Sequence, residues 1–171
     1  SNFTFIDRVM YMPHFYTCGI DRNNPTRIFA DYLEFKIDYS KPLDPNNGSW
    51  KLEKNWGYNV PSNFDSEFHR LRFVSTLSNG RRYALQKQNG TYNRWQVVDL
   101  VPNGTLRFTG VIFDNINSGV QMYPDGSLRR ISSQNVGTPI QFLIKPLTGF
   151  DGSNNPVWGT EQVLATSPVK T

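Results

Sequence analysis

The chain has 171 residues and a net charge of +4, about the length of one ordinary domain. Apolar residues make up 37% and aromatics 14%, so rings would supply much of any core. No apolar run approaches the roughly 20 residues of a membrane span, and the single cysteine, Cys18, excludes an internal disulfide framework and a thiolate zinc site within one chain.

At the N-terminus, Ser1-Asn2-Phe3 has neither an initiating Met nor a basic stretch leading into an apolar one. No signal peptide is read there, and the chain is expected to be a processed product or a piece excised from a longer one. Helical periodicity with a cap at its head is absent throughout, whereas strand alternation is frequent. Leu71 and Phe73, then Tyr83 and Leu85, alternate with Arg70, Arg72, Arg82 and Ala84, as half-buried strands do. The turn pairs Asn47-Gly48, Asn79-Gly80, Asn89-Gly90, Asn103-Gly104 and Asp125-Gly126 supply the positive φ values of tight hairpins. Three of the four N-x-[ST] sequons, at Asn47, Asn89 and Asn103, coincide with these turns, and the fourth is at Asn2. The expected fold is all-β, with many short antiparallel strands.

An internal repeat organises those strands. Gly80 and Gly126 lie 46 residues apart, and the same shift lays Trp95 to Asp99 onto Gln141 to Lys145. A shift of 61 residues carries Gly80 back to Gly19 and Trp95 to Asp99 back to Glu34 to Asp38. Trp50 and Trp158 fall one residue out of step in matching places. Three units follow, at about 9–60, 68–113 and 118–167, the first lengthened by a polar loop over 56–65. Units of roughly 40–50 residues with four strands are the size of a propeller blade. In Met122-Tyr123-Pro124-Asp125-Gly126-Ser127-Leu128-Arg129-Arg130-Ile131 and Leu147-Thr148-Gly149-Phe150-Asp151-Gly152 the chain resembles β-propeller blades in general pattern, with no WD or kelch signature. The resemblance implies antiparallel four-stranded repeats. Propellers close with roughly four to eight blades. Three units therefore imply a piece of a longer chain, copies completing one ring, or a β-sandwich or barrel instead.

Sites for chemistry are scarce. His14 and His69, the only histidines, form no close ligand pair. Asp21 to Asn24 and Asp151 to Asn155 lack calcium-loop spacing and read as turns capped by their own side chains. Neither a nucleophile elbow nor a phosphate loop occurs. The carboxylates Glu34, Glu53, Glu67 and Glu161 are scattered, with no indicated pair for glycoside hydrolysis. Asp38 and Asp99, equivalent in the repeat, read as structural caps. Neither a metal, a cofactor nor a catalytic set is expected.

The charge is uneven. Residues 1–67 hold 7 basic and 9 acidic residues, 68–113 hold 7 and 1, and 114–171 hold 4 and 4. The basic middle unit suggests edge-protecting charges on a solvated strand face, or contact with phosphate or acidic sugar. Its basic residues interleave with Tyr83, Tyr92 and Trp95, but no motif supports nucleic acid as partner. Trp56 and Tyr58, in a polar loop setting, are expected as exposed aromatic contacts, with Arg70, Arg72, Arg81 and Arg82 as the basic contribution. The expected function is a non-catalytic binding or scaffold module of a larger extracellular or surface protein, its ligand a glycan or a protein partner. Two alternatives stand beside it: an accessory or partial catalytic region of a carbohydrate-active enzyme, and a structural homo-oligomer such as a viral or phage surface protein.

Overall fold

The computed structural model describes residues 18–30, 32–42, 44, 46–56, 71–87, 94–113, 120–132 and 139–168. Among them every regular element is a β-strand. Strands β1 (Cys18–Asp21), β2 (Asn24–Ala30), β3 (Leu33–Ile37) and β4 (Trp50–Asn55) form a first antiparallel sheet in that order. A second sheet has the same order in β5 (Arg72–Thr76), β6 (Arg82–Lys87), β7 (Trp95–Leu100) and β8 (Leu106–Phe113). The third places β9 (Val120–Met122) beside β10 (Leu128–Ile131), then β11 (Gln141–Lys145), then β14 (Gln162–Thr166). A two-stranded hairpin, β12 (Leu147–Phe150) and β13 (Pro156–Trp158), is inserted before that last strand. No sheet closes into a barrel among the described residues.

The turns follow from their residue types. At Asn79-Gly80, Asn103-Gly104 and Asp125-Gly126 each glycine takes a positive φ (76°, 95° and 79°) and donates its amide to the carbonyl three residues back. In each, the Asn or Asp oxygen accepts the amide two residues on, at 3.1, 3.0 and 2.9 Å. Asp151 to Asn155 builds the same turn with Asn154 in the glycine's place, at φ 64°.

Two sequence expectations shift here. Gly19 is not at a turn: it lies inside β1 opposite Phe29, and the β1–β2 connection is Arg22-Asn23. Trp50 opens β4, whereas Trp158 ends the inserted hairpin, so the two are not structural equivalents.

The second sheet is the centre of packing. Every residue of β7 is buried, the mark of a strand covered on both faces. Tyr83, Leu85, Trp95 and Val97 pack with Val120, Met122 and Leu128 of the third sheet. On the opposite face, Ala84, Val98 and Leu100 pack with Phe29 of the first sheet and with Trp56, which follows it. Each such fully buried Leu or Phe contributes about 1.5–3 kcal/mol. The first strands are neighbours as well, with β1 against β5 and β5 against β9.

Candidate functional site

Trp56 and the arginines Arg72, Arg81, Arg82 and Arg107 of the middle unit are engaged within the fold. Trp56, expected as an exposed contact, is 1% exposed and donates its indole N–H to Glu34 Oε2 at 2.8 Å. It presents no face to a ligand. Glu34, itself buried on β3, also accepts both terminal nitrogens of Arg82, at 2.5 and 3.2 Å. Arg82 thus crosses from the second sheet to the first, and its guanidinium lies 5.8 Å from the centre of the Trp56 ring. Arg81 turns to the other side and pairs with Asp99. Asp99 also accepts Arg107 Nε at 2.9 Å, and Arg107 Nη1 reaches Asn155 Oδ1 in the β12–β13 turn at 2.6 Å. Asp99 is therefore no strand-end cap but the fully buried centre of an inter-sheet network. Asp38 does cap its turn, accepting from the Ser40 amide and hydroxyl at 3.1 and 2.6 Å. The guanidinium of Arg72 lies 5.1 Å from the centre of the Trp95 ring. Tyr58 and Arg70 lie outside the described residues.

A surface that sequence reasoning did not single out forms where the first strands of the three sheets converge. Arg22, in the two-residue β1–β2 turn, donates its amide to Val74 O of β5 at 3.0 Å. Its neighbour Asn23 accepts the Thr76 amide at 2.8 Å. The exposed Arg22 guanidinium stands over Phe73 at 5.5 Å and Tyr123 at 5.0 Å, and reaches Gln121 Oε1 at 3.4 Å. Arg129 approaches Tyr123 at 4.0 Å, so two cations share one ring. Phe73 sits at φ 55°, inside a break in the β5–β6 register. For a bulky L-residue that conformation costs roughly 1–3 kcal/mol. The one signal in the sequence was the Asx turn itself: Asp21 Oδ1 accepts the Asn23 amide at 3.0 Å and fixes the turn that carries Arg22.

Burial sets the protonation chemistry nearby. Asp21 is pushed above the ordinary carboxylate range chiefly by burial, against the opposing pull of the Asn23 amide and Arg82. Tyr83, whose hydroxyl donates to Asn154 O at 2.8 Å, is also raised by burial. Among the described residues no three His, Cys, Asp or Glu side chains gather as a metal site would require. No helix of the described residues is long and apolar enough to cross a membrane. No protein family matches the chain, and neither a curated protein nor a solved structure is significantly similar to it.

Proposed function

We propose that the chain is a non-catalytic binding or scaffold module of a larger extracellular or surface protein, built from propeller-like repeats. The sheet junction around Arg22 is its contact face, and the ligand is a glycan or a protein partner. The observation that carries this reading is the junction's make-up: exposed Arg22 and Gln121 beside half-buried Phe73 and Tyr123, on a strained backbone. Aromatic faces and guanidinium donors together suit sugar rings and carboxylates alike. Buried carboxylates, by contrast, already serve inter-sheet pairing, which favours binding over catalysis.

Calorimetric titration against neutral and acidic glycans, with product analysis, tests this. The expected result is saturable binding without turnover, weakened about tenfold by Arg22→Ala, as for loss of a hydrogen bond to a charged group. Turnover of any panel member, abolished by one carboxylate substitution, would overturn it in favour of the enzyme alternative.

The structural-oligomer reading has its own support. Although β7 of the middle sheet is buried throughout, all three four-stranded sheets expose large apolar side chains: Ile20 and Leu52, Phe108 and Ile112, and Phe142 and Val163. Such side chains suit a stack that continues into further sheets. Light scattering would give a mass near 19.7 kDa for a lone module and a multiple of it for an assembled one.

A further inference from the structure

Away from the junction, a cleft of about 180 Å³ opens between β8 and the third sheet. Ile112, Phe113, Val120 and Leu128 make its apolar lining, and Arg130, Lys145 and Glu161 its polar one. That is below the roughly 300–1,000 Å³ of sites for drug-sized ligands. Its charges are unequal in commitment. Arg130 donates from Nε and Nη2 to the two Glu161 oxygens, at 2.8 and 2.7 Å, a closed bidentate pair. Lys145 has no carboxylate partner among the described residues, and its ammonium stands 5.4 Å from the centre of the Phe113 ring. The ring is itself held edge-on by Trp158, centroids 5.4 Å apart at 74°, and Trp158 is anchored by its indole N–H to Gly126 O at 2.8 Å. The cleft thus joins one uncommitted cation to a preorganised aromatic wall.

We propose that this cleft binds a small carboxylate bearing an apolar body, a single ring or a short alkyl chain. The carboxylate takes Lys145, and the body lies against Phe113 and Leu128. The Arg130–Glu161 pair, already neutral, contributes shape rather than charge, so a dianion gains nothing over a monoanion here. This site goes beyond the partner surface at the junction and does not depend on it.

Amide-resolved NMR titration of the full chain with benzoate, and with benzyl alcohol as its neutral counterpart, tests the proposal. Benzoate is expected to shift the amides of Phe113, Leu128 and Lys145 saturably. It should bind about tenfold more tightly than the alcohol, the scale of one hydrogen bond to a charged group. Lys145→Gln should bring benzoate down to the alcohol's level, Lys145→Arg should keep most of the preference, and unchanged spectral dispersion would show that both variants fold. Equal binding of acid and alcohol, indifference to Lys145→Gln, or shifts confined to amides elsewhere would each overturn it.

Discussion

Arg82 of β6 clamps both oxygens of Glu34 on β3, joining two sheets through one carboxylate that also receives the Trp56 indole N–H. Glu34 is 1% exposed, while the Arg82 side chain keeps 28% of its surface in water. Removing the buried partner strands the Arg82 guanidinium and the Trp56 indole N–H, and takes one acceptor from Arg27 as well. Glu34→Ala should therefore destabilise the fold by about 2–4 kcal/mol, somewhat below the range for a fully buried pair because Arg82 retains solvent. Glu34→Gln, which keeps an acceptor for Trp56, should cost less. Urea unfolding of both variants measures the order.

Trp56 is a core residue, so its loss should be read in stability first. Trp56→Ala should cost about 3–5 kcal/mol, the range for deleting a large buried aromatic. Denaturant midpoints followed by far-UV circular dichroism check this. A variant as stable as the parent would contradict the burial.

The pH dependence has two opposed parts. Asp38 is held below its ordinary value of 3.8 chiefly by the Ser40 hydroxyl, and Asp151 chiefly by the Asn155 amide. Burial raises Asp125, yet hydrogen bonds from Ser127 and Arg129 bring it below 3.8 on balance. The stability these groups contribute is fully present above pH 3.8 and lost as pH falls through their lower folded values. Asp21 has the opposite sign. With its folded value raised, stability is lost as pH climbs from 3.8 through that value, because the buried group must ionise. Asp21→Asn should accordingly be as stable as the parent or more so at pH 7, by up to about 1 kcal/mol. That advantage should vanish near pH 4. Urea midpoints of variant and parent at both pH values decide it. A variant less stable than the parent at pH 7, or one whose difference from the parent is no more favourable at pH 7 than at pH 4, would contradict the assignment.

Gly126 combines two constraints. Its φ is 79°, and a Cβ there would meet Leu147 Cδ2 at 2.7 Å and Leu77 Cδ2 at 3.1 Å. The backbone alone costs an L-residue about 1–2 kcal/mol. Gly126→Ala should lose at least that much in thermal or urea unfolding. Gly80→Ala, with a similar φ but no atom within 4 Å, should lose only the backbone part.

Much of the fold was legible locally. The turn pairs at Asn79, Asn103 and Asp125 form the hairpins their chemistry requires, and the alternating segments around Phe73 and Tyr83 fall in β5 and β6. Gly19 misled because a glycine inside a strand resembles a turn glycine when only spacing is compared. Trp56 misled because its neighbours in sequence, Asn55, Gly57 and Tyr58, are those of a surface loop. Its burial comes from non-local partners, the Tyr32 carbonyl and Glu34, which no local window contains. The basic excess of the middle unit was visible, but its destination was not. Arg82 is answered by an acid of the first sheet, and the one acid of the middle unit, Asp99, serves two arginines. The junction was invisible for the same reason, since Arg22, Phe73 and Tyr123 come from three separate sheets.

Whether the middle unit's charge holds sheets together is tested most directly by a double-mutant cycle on Glu34→Gln and Arg82→Gln, read by urea unfolding beside affinity for acidic glycans. An inter-sheet tie predicts a coupling energy of about 1–3 kcal/mol between the two positions. A coupling near zero, with Arg82→Gln losing acidic-glycan affinity at unchanged stability, would contradict it and make Arg82 a ligand contact.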